Sequence, residues 1–289
     1  MGYITDMQAI KDVFEELPTK EQGGGLQNDE KWENDRKGRF TGSNMHKLMG
    51  VGRATAKKDW DRPEKIIDLN ETAKKYIYEK AKERQRDRVI KSYIGYNGTY
   101  GEICEALTKE KLIEKHPGAE IKEHGFVEFI KGVAGASPDG EFFPNLTPKK
   151  LSELKPHDTD FMKIESMALE IKSAVGTDAI YLKYEKPFIE KHPDFWQVQT
   201  EILALPGADK CLFVVAEPST DKYLPEIEYI NEKIIDASPL HQNAIIQRCM
   251  LGNDIIKLYL QGVNFEEAVV RGCSEFKGWI KAPEIITKT

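Results

Sequence analysis

An apolar run carrying two charges stands at residues 167–172, Met-Ala-Leu-Glu-Ile-Lys. A short run of this kind, bounded by turn residues, predicts a buried strand. Side chains two apart on a strand share a face, so Glu170 and Lys172 project together while Leu169 and Ile171 face the opposite layer. A carboxylate and an ammonium on such a strand are costly unless they serve each other or a ligand. Segments 124–136, 211–216 and 222–229 are also short, rich in β-branched or aromatic residues and bounded by turns, and read as strands.

Elsewhere the apolar spacing is helical. After Pro63, at a first helical position, residues 64–91 carry Ile66, Leu69, Ala73, Ile77 and Ala81 in one stripe. Their other faces carry Lys74, Lys75, Lys80, Lys82, Arg84, Arg86 and Arg88, a basic surface suited either to a DNA backbone or simply to solvent. Helices are expected over about 100–115, 193–205 and 239–261, and a short one over 1–18. Helices around a small central sheet make an α/β fold.

The 289 residues allow one large domain, and the net charge of −6 argues against a simple nucleic-acid-coating protein. That sum hides blocks. Residues 1–30, an acidic segment ending in a Gly-rich link at 19–30, hold 2 basic and 7 acidic side chains. Residues 31–91 hold 18 basic and 10 acidic, a net of +8, and residues 92–289 hold 22 and 31, a net of −9. A basic arm beside an acidic body suggests a polyanion partner. The scattered Cys104, Cys211, Cys249 and Cys273 have no zinc spacing and fit a reducing compartment. No P-loop occurs, so ATP-driven motion is not indicated. No apolar run is long enough to span a membrane, and the acidic N-terminus is unlike a signal peptide, so a cytoplasmic location is expected, in a bacterium or a phage-infected host.

The turn Ser137-Pro138-Asp139-Gly140 follows Val133-Ala134-Gly135-Ala136. Asp139 and Glu170 together would offer two hard oxygen ligands, a set Mg2+ accepts when waters and substrate phosphate complete its shell. Lys172 could then orient the attacking water. For an isolated E-x-K, a plain cross-strand salt bridge is the alternative. Glu153-Leu154-Lys155 is a rival E-x-K only 14 positions after Asp139, against 31 for Glu170. The buried-strand pattern at 167–171 favours Glu170, and Pro156 would spoil a central strand after Lys155. Trp196 is a candidate to stack on a base, and His157, Asp158 and Asp160 read as a turn before a metal site.

Four separated motifs resemble the PD-(D/E)xK nucleases, and more narrowly the YqaJ-type viral recombinases, the phage lambda exonuclease family. They are Trp32-x-x-x-Arg36-x-Gly38-x-x-Thr41-x-Ser43; Gly98-x-x-x-Glu102; the A-S-P-D-G turn with the E-I-K strand; and Trp196-Gln197-Val198-Gln199. The resemblance spans about 32–218 and implies a restriction-endonuclease-like core with a small mixed sheet flanked by helices. It divides a single nuclease domain at 31–289 into a basic DNA-binding part (31–91), a catalytic core (92–230) and a C-terminal helical part (231–289). It implies Asp139 and Glu170 as metal ligands, Lys172 as the water-orienting base, Glu102 as an outer acidic residue beside the metal and Gln197 at the site's edge. Glu105, one helical turn on, competes with Glu102. Arg36, Ser43 and Arg53 would hold DNA phosphates.

The activity implied is 5′→3′ exonuclease on double-stranded DNA ends, dependent on Mg2+ with Mn2+ as a substitute, in phage-type recombination by single-strand annealing. The family also implies a ring-shaped homo-oligomer and a single-strand annealing partner. Two other readings stand beside it: a non-catalytic DNA-end-binding scaffold, and a restriction-like or Cas4-like endonuclease, the latter disfavoured by the scattered cysteines.

Overall fold

The computed structural model describes residues 30–87, 96–144, 166–219 and 226–276. The expected N-terminal helix and glycine link, Arg88, the rival Glu153/Lys155 pair and the 157–160 cluster lie outside the described residues. In chain order the elements begin with α1 (Glu30–Arg36), β1 (Phe40–Thr41), α2 (Met45–Leu48), α3 (Pro63–Ile67), α4 (Glu71–Arg86) and α5 (Tyr96–Lys115). Strands β2 (Glu120–Lys122), β3 (Val127–Ile130), β4 (Ala134–Ala136), β5 (Gly140–Phe143) and β6 (Met167–Ser173) follow. Then come the single turn α6 (Thr177–Ile180), α7 (Phe195–Ala204), β7 (Lys210–Pro218), β8 (Ile227–Asp236), α8 (Pro239–Leu260) and α9 (Phe265–Glu275).

These elements form two mixed sheets rather than the one expected, in two compact units. The first unit comprises Met1–Ile90, Phe126–Ser137 and Ser238–Thr289; the second comprises Lys91–Gly125 and Pro138–Ala237. The chain passes between them without a linker composition at any crossing, so an unbroken sequence from Trp32 concealed the division.

In the first unit a three-stranded sheet has the order β1-β4-β3, with β1 parallel to β4 and β3 antiparallel to it. The expected stripe is buried in full: Ile66, Leu69, Ala73, Ile77 and Ala81. The helix predicted over 64–91 is nonetheless two helices. Asn70 caps α4, its side chain accepting a hydrogen bond from Ala73 N at 2.9 Å, and Leu69 forms an isolated bridge with Val51. Carbonyls at the end of α3, and others at the end of α2, are taken by Arg248 of α8, which is fully buried. Its guanidinium donates to Leu48 O (2.9 Å), Gly50 O (3.1 Å), Lys65 O (2.7 Å) and Asp68 O (3.0 Å). One planar group thus supplies donors at the C-terminal ends of two short helices.

In the second unit a five-stranded sheet has the order β2-β5-β6-β7-β8. Only β6 and β7 are parallel; the other pairs are antiparallel. A parallel pair needs a crossover, and α7 lies within it. Leu169 and Ile171 of β6 join Met167, Phe142, Leu212, Val214 and Leu112 of α5 in one apolar layer. The alternate residues face the other side, where α7 packs. The strand expected at 222–229 instead runs Ile227–Asp236. Its exposed Tyr229 and Ile234 sit on an edge strand, where burial does not enforce the alternation that would mark it. Helix α9, with Asn264 capping it through Glu266 N at 3.0 Å, was not foreseen.

Candidate active site

Asp139 enters the second unit immediately before β5. Its backbone N–H donates to Leu169 O at 3.0 Å, extending the β5–β6 ladder by one residue. Its carboxylate Oδ2 then accepts from Ile171 N at 2.7 Å, taking a donor on the strand that bears Glu170. Gly140 follows because space is short there: a Cβ would lie 2.7 Å from Ile121 Cγ2.

Glu170 and Lys172 face α7, as the two-residue period requires. Glu170 is 1% exposed and forms an ion pair with Lys172. Gln197 Nε2 donates to Glu170 Oε1 at 2.8 Å, and Gln197 Oε1 accepts from Lys172 Nζ at 3.2 Å. Asp139, Glu170, Lys172 and Gln197 therefore form one connected constellation. Sequence reading missed a further member. Glu201, one helical turn beyond Gln197 on α7, accepts from Gln197 Nε2 at 2.9 Å and is 1% exposed. Its spacing of four from Gln197 on the same face was the available signal.

The electrostatics follow from crowding. Burial raises the Asp139 carboxyl well above its ordinary range, and the charges of Glu170 and Glu105 add to the shift. Burial likewise raises Glu201, with Glu170 as the next cause. For Lys172 burial acts against the charge, but Glu170, Asp139, Asp194 and Glu201 outweigh it and hold the ammonium above its ordinary value. The Cys211 thiol, on the adjoining strand, is raised by burial and by the same carboxylates. Glu102 is exposed on α5, whereas Glu105 is half-buried, pairs with Lys109 at 2.8 Å and adds to the shift at Asp139.

Among the described residues no three His, Cys, Asp or Glu side chains are placed to enclose a metal ion. Asp139 and Glu170 do supply hard oxygens, and Glu170 Oε2 is buried without a hydrogen-bond partner. One or two carboxylates with waters and phosphate suit Mg2+, so this donor set fits such an ion without further protein ligands.

The opening motif is assembled in the first unit. Trp32 Nε1 donates to Ser137 Oγ at 2.9 Å, and the Arg36 guanidinium lies 3.9 Å above the Trp32 ring. Arg36 Nη2 reaches the exposed Ser43 Oγ at 3.4 Å. Burial lowers the Arg36 pKa from its ordinary value. Gly38 has φ +67°, and a Cβ there would lie 2.4 Å from Arg84 Cγ, so glycine is required twice over. Thr41 N donates to Tyr76 OH at 3.1 Å. Arg53 is exposed and no hydrogen bond joins it to Arg36 or Ser43 among the described residues.

Two readings are corrected. Trp196 is 6% exposed and packs edge-on against Phe195, so it offers no face for a base. The basic surface of α4 is partly internal: buried Lys80 pairs with Glu83 at 2.9 Å, and Arg84 binds Gly38 O at 2.8 Å and Asn253 Oδ1 at 2.7 Å.

No family model and no curated protein matches the chain. Among solved structures, an alkaline exonuclease, LHK-Exo, from Laribacter hongkongensis aligns with a TM-score of 0.54 at 19% identity, covering 84% of this chain and 100% of that chain. The structure of LHK-Exo in complex with dAMP aligns with the same figures. A phage related exonuclease from Haemophilus somnus 129PT aligns at a TM-score of 0.49 and 14% identity, covering 77% of this chain and 95% of that chain. The chain, with its two mixed sheets and flanking helices, has the fold of the alkaline exonuclease LHK-Exo.

Proposed function

We propose that the protein is a metal-dependent deoxyribonuclease of the PD-(D/E)xK type and a 5′→3′ exonuclease on double-stranded DNA ends, akin to the YqaJ-type viral recombinases. The observation that carries this reading is the convergence of Asp139, Glu170, Lys172 and Gln197 on one face of the β5–β6 pair. The shared fold with an exonuclease supports it, and the dAMP complex of LHK-Exo fits a chain that handles deoxynucleotides.

Asp139 and Glu170 would hold Mg2+, with Mn2+ as a substitute. When bound, the cation polarises the scissile phosphate and makes water easier to deprotonate. Asp139 is pinned through Ile171 N and Glu170 through Gln197, so neither carboxylate needs to reorganise during the reaction. Lys172, as an ammonium, offers donors only and orients water or a phosphate oxygen. Arg36 and Ser43 would bind the terminal phosphate, with Arg53 adding a contact; Arg36 is held ready by its stacking on Trp32. Homo-oligomerisation into a ring and a single-strand annealing partner belong to the same proposal.

The test is a time course on linear duplex labelled at either the 5′ or the 3′ end, with a closed circle as control. We expect mononucleotide release from the 5′-labelled strand, no cutting of the circle, and losses of about 10²–10³-fold or more in Asp139→Asn, Glu170→Gln and Lys172→Ala. Full activity in all three variants sinks the proposal, and cutting of the circle replaces exonuclease by endonuclease. A non-catalytic DNA-end-binding scaffold is favoured by one observation, the occupation of Glu170 by Lys172. A wild-type protein that binds DNA ends but takes up no Mg2+ or Mn2+ selects that reading.

A further inference from the structure

We infer that Glu201 is a positioning residue: by accepting a hydrogen bond from Gln197 Nε2, it holds the Gln197 amide in the orientation that fixes Glu170 and Lys172. The inference rests on the nuclease reading above and adds to it a residue whose role is exerted through its neighbours.

A glutamine amide has two N–H donors and one carbonyl acceptor. At Gln197 the donors are spent on Glu170 Oε1 (2.8 Å) and Glu201 Oε1 (2.9 Å), and the carbonyl oxygen is left for Lys172 (3.2 Å). Turned over, the amide would set its oxygen against two carboxylates and its nitrogen against an ammonium. Glu201 therefore makes the correct orientation the only satisfied one. Without it, a single contact to Glu170 holds the amide nitrogen, and one N–H loses its partner.

Packing does not explain a glutamate here. Glu201 is 1% exposed, no cation pairs with it among the described residues, and besides Gln197 its carboxyl lies against Glu170. A buried carboxyl group is costly to desolvate whether or not it holds a proton, and Leu or Met would fill the space at lower cost. Its neighbours on α7 at this depth include the buried apolar Val198 and Ile202. What Glu201 offers that they cannot is an acceptor at Gln197.

Two conservative substitutions separate reach from charge. Glu201→Gln keeps an acceptor oxygen at the same distance and removes the ionisable carboxyl. Glu201→Asp keeps the charge and withdraws the oxygen by one methylene. Each variant is measured for kcat and KM on linear duplex, and for Mn2+ affinity by calorimetric titration of the metal-free protein without DNA, with folding checked by circular dichroism.

Removing an outer partner of a metal ligand typically costs about 10–100-fold in activity or affinity. We expect Glu201→Asp to lose about tenfold or more in both kcat and Mn2+ affinity, with KM changed by less than about threefold, and Glu201→Gln to rescue both to within about threefold. Wild-type values in both variants would make Glu201 a space-filler and overturn the inference. A Glu201→Gln loss equal to or greater than that of Glu201→Asp would assign the effect to charge and overturn it equally. Should Glu201→Asp fail to fold, Glu201→Met, which removes the acceptor at similar volume, takes its place with the same expectations. Asp139→Asn keeps the two failures apart. If the wild type cuts DNA and Asp139→Asn does not while both Glu201 variants match the wild type, only the positioning role fails; if the wild type neither binds Mn2+ nor cuts, the nuclease reading itself fails.

Discussion

Asp139 and Glu201 share a condition that shapes how the metal-free protein responds to pH. Both carboxyls are raised above their ordinary values by burial first and by neighbouring negative charge second. A raised carboxyl leaves the native state holding a proton that the unfolded chain has released, so stability is fully present below the unfolded pKa and is lost as pH rises through the folded one. His192 acts in the opposite direction, since burial lowers its pKa; its Nε2 lies 3.0 Å from Lys183 O and its Nδ1 accepts from Asp194 N at 3.2 Å. Its contribution is lost only as pH falls through its ordinary value of 6.5, so the carboxyls govern the alkaline side. Scanning calorimetry in chelator should show the Tm falling as pH rises above the ordinary carboxylate range, with a flatter profile in Glu201→Gln. A Tm that stays flat in the wild type over that rise would contradict the crowding of these carboxyls. Added Mn2+ should restore the alkaline Tm if the site binds the ion.

At the scale of elements, α8 carries the organising group of the first unit. Four carbonyls from the ends of α2 and α3 depend on Arg248, whose burial pushes its pKa down to about 10. Arg248→Met removes a donor from each of those carbonyls and should cost about 3–5 kcal/mol in urea denaturation. Arg248→Lys should recover only part of this, because three donors on one nitrogen cannot span four acceptors laid out for a fork. Equal stability of Arg248→Met and wild type would show that the helix ends find other partners. The same clamp explains why a periodic stripe from Ile66 to Ala81 was legible while the break within it was not. The stripe is local periodicity; the break depends on a side chain 180 positions beyond Asp68.

For the whole molecule, net charge misleads because its signs are segregated. The net of −6 combines a block of +8 at residues 31–91 with acidic segments on either side. Part of that basic block is spent internally, as Lys80 and Arg84 demonstrate. Arg36 and Arg53 are the proposed phosphate contacts. If both neutralise phosphates, Arg36→Ala and Arg53→Ala should each reduce the slope of log affinity against log salt by about one on duplex ends. An unchanged slope in either variant removes that residue from the DNA interface.

Strand β6 was legible because a buried strand declares itself through a short apolar run, whose two-residue period puts Glu170 and Lys172 on one face. The turn before β5 was legible through Pro138 and Gly140, and helix α7 through its apolar spacing. These are consequences of local periodicity and backbone restriction, which a sequence carries in full. The sequence by itself therefore determined the α/β class, strands β6 and β7, helices α5, α7 and α8, and which charged groups share a strand face; the strand expected over 124–136 is instead two, β3 and β4, and β1, β2 and β5 lie outside every predicted strand. Tertiary structure alone decided that the chain divides into two units by returning twice to the first, that Trp196 is buried, that Glu105 is near enough to raise the Asp139 carboxyl, and that Glu201 joins Gln197 and Glu170. Each of these depends on side chains brought together from distant positions, and the free energy of a buried charge is set by such neighbours, which no local pattern specifies.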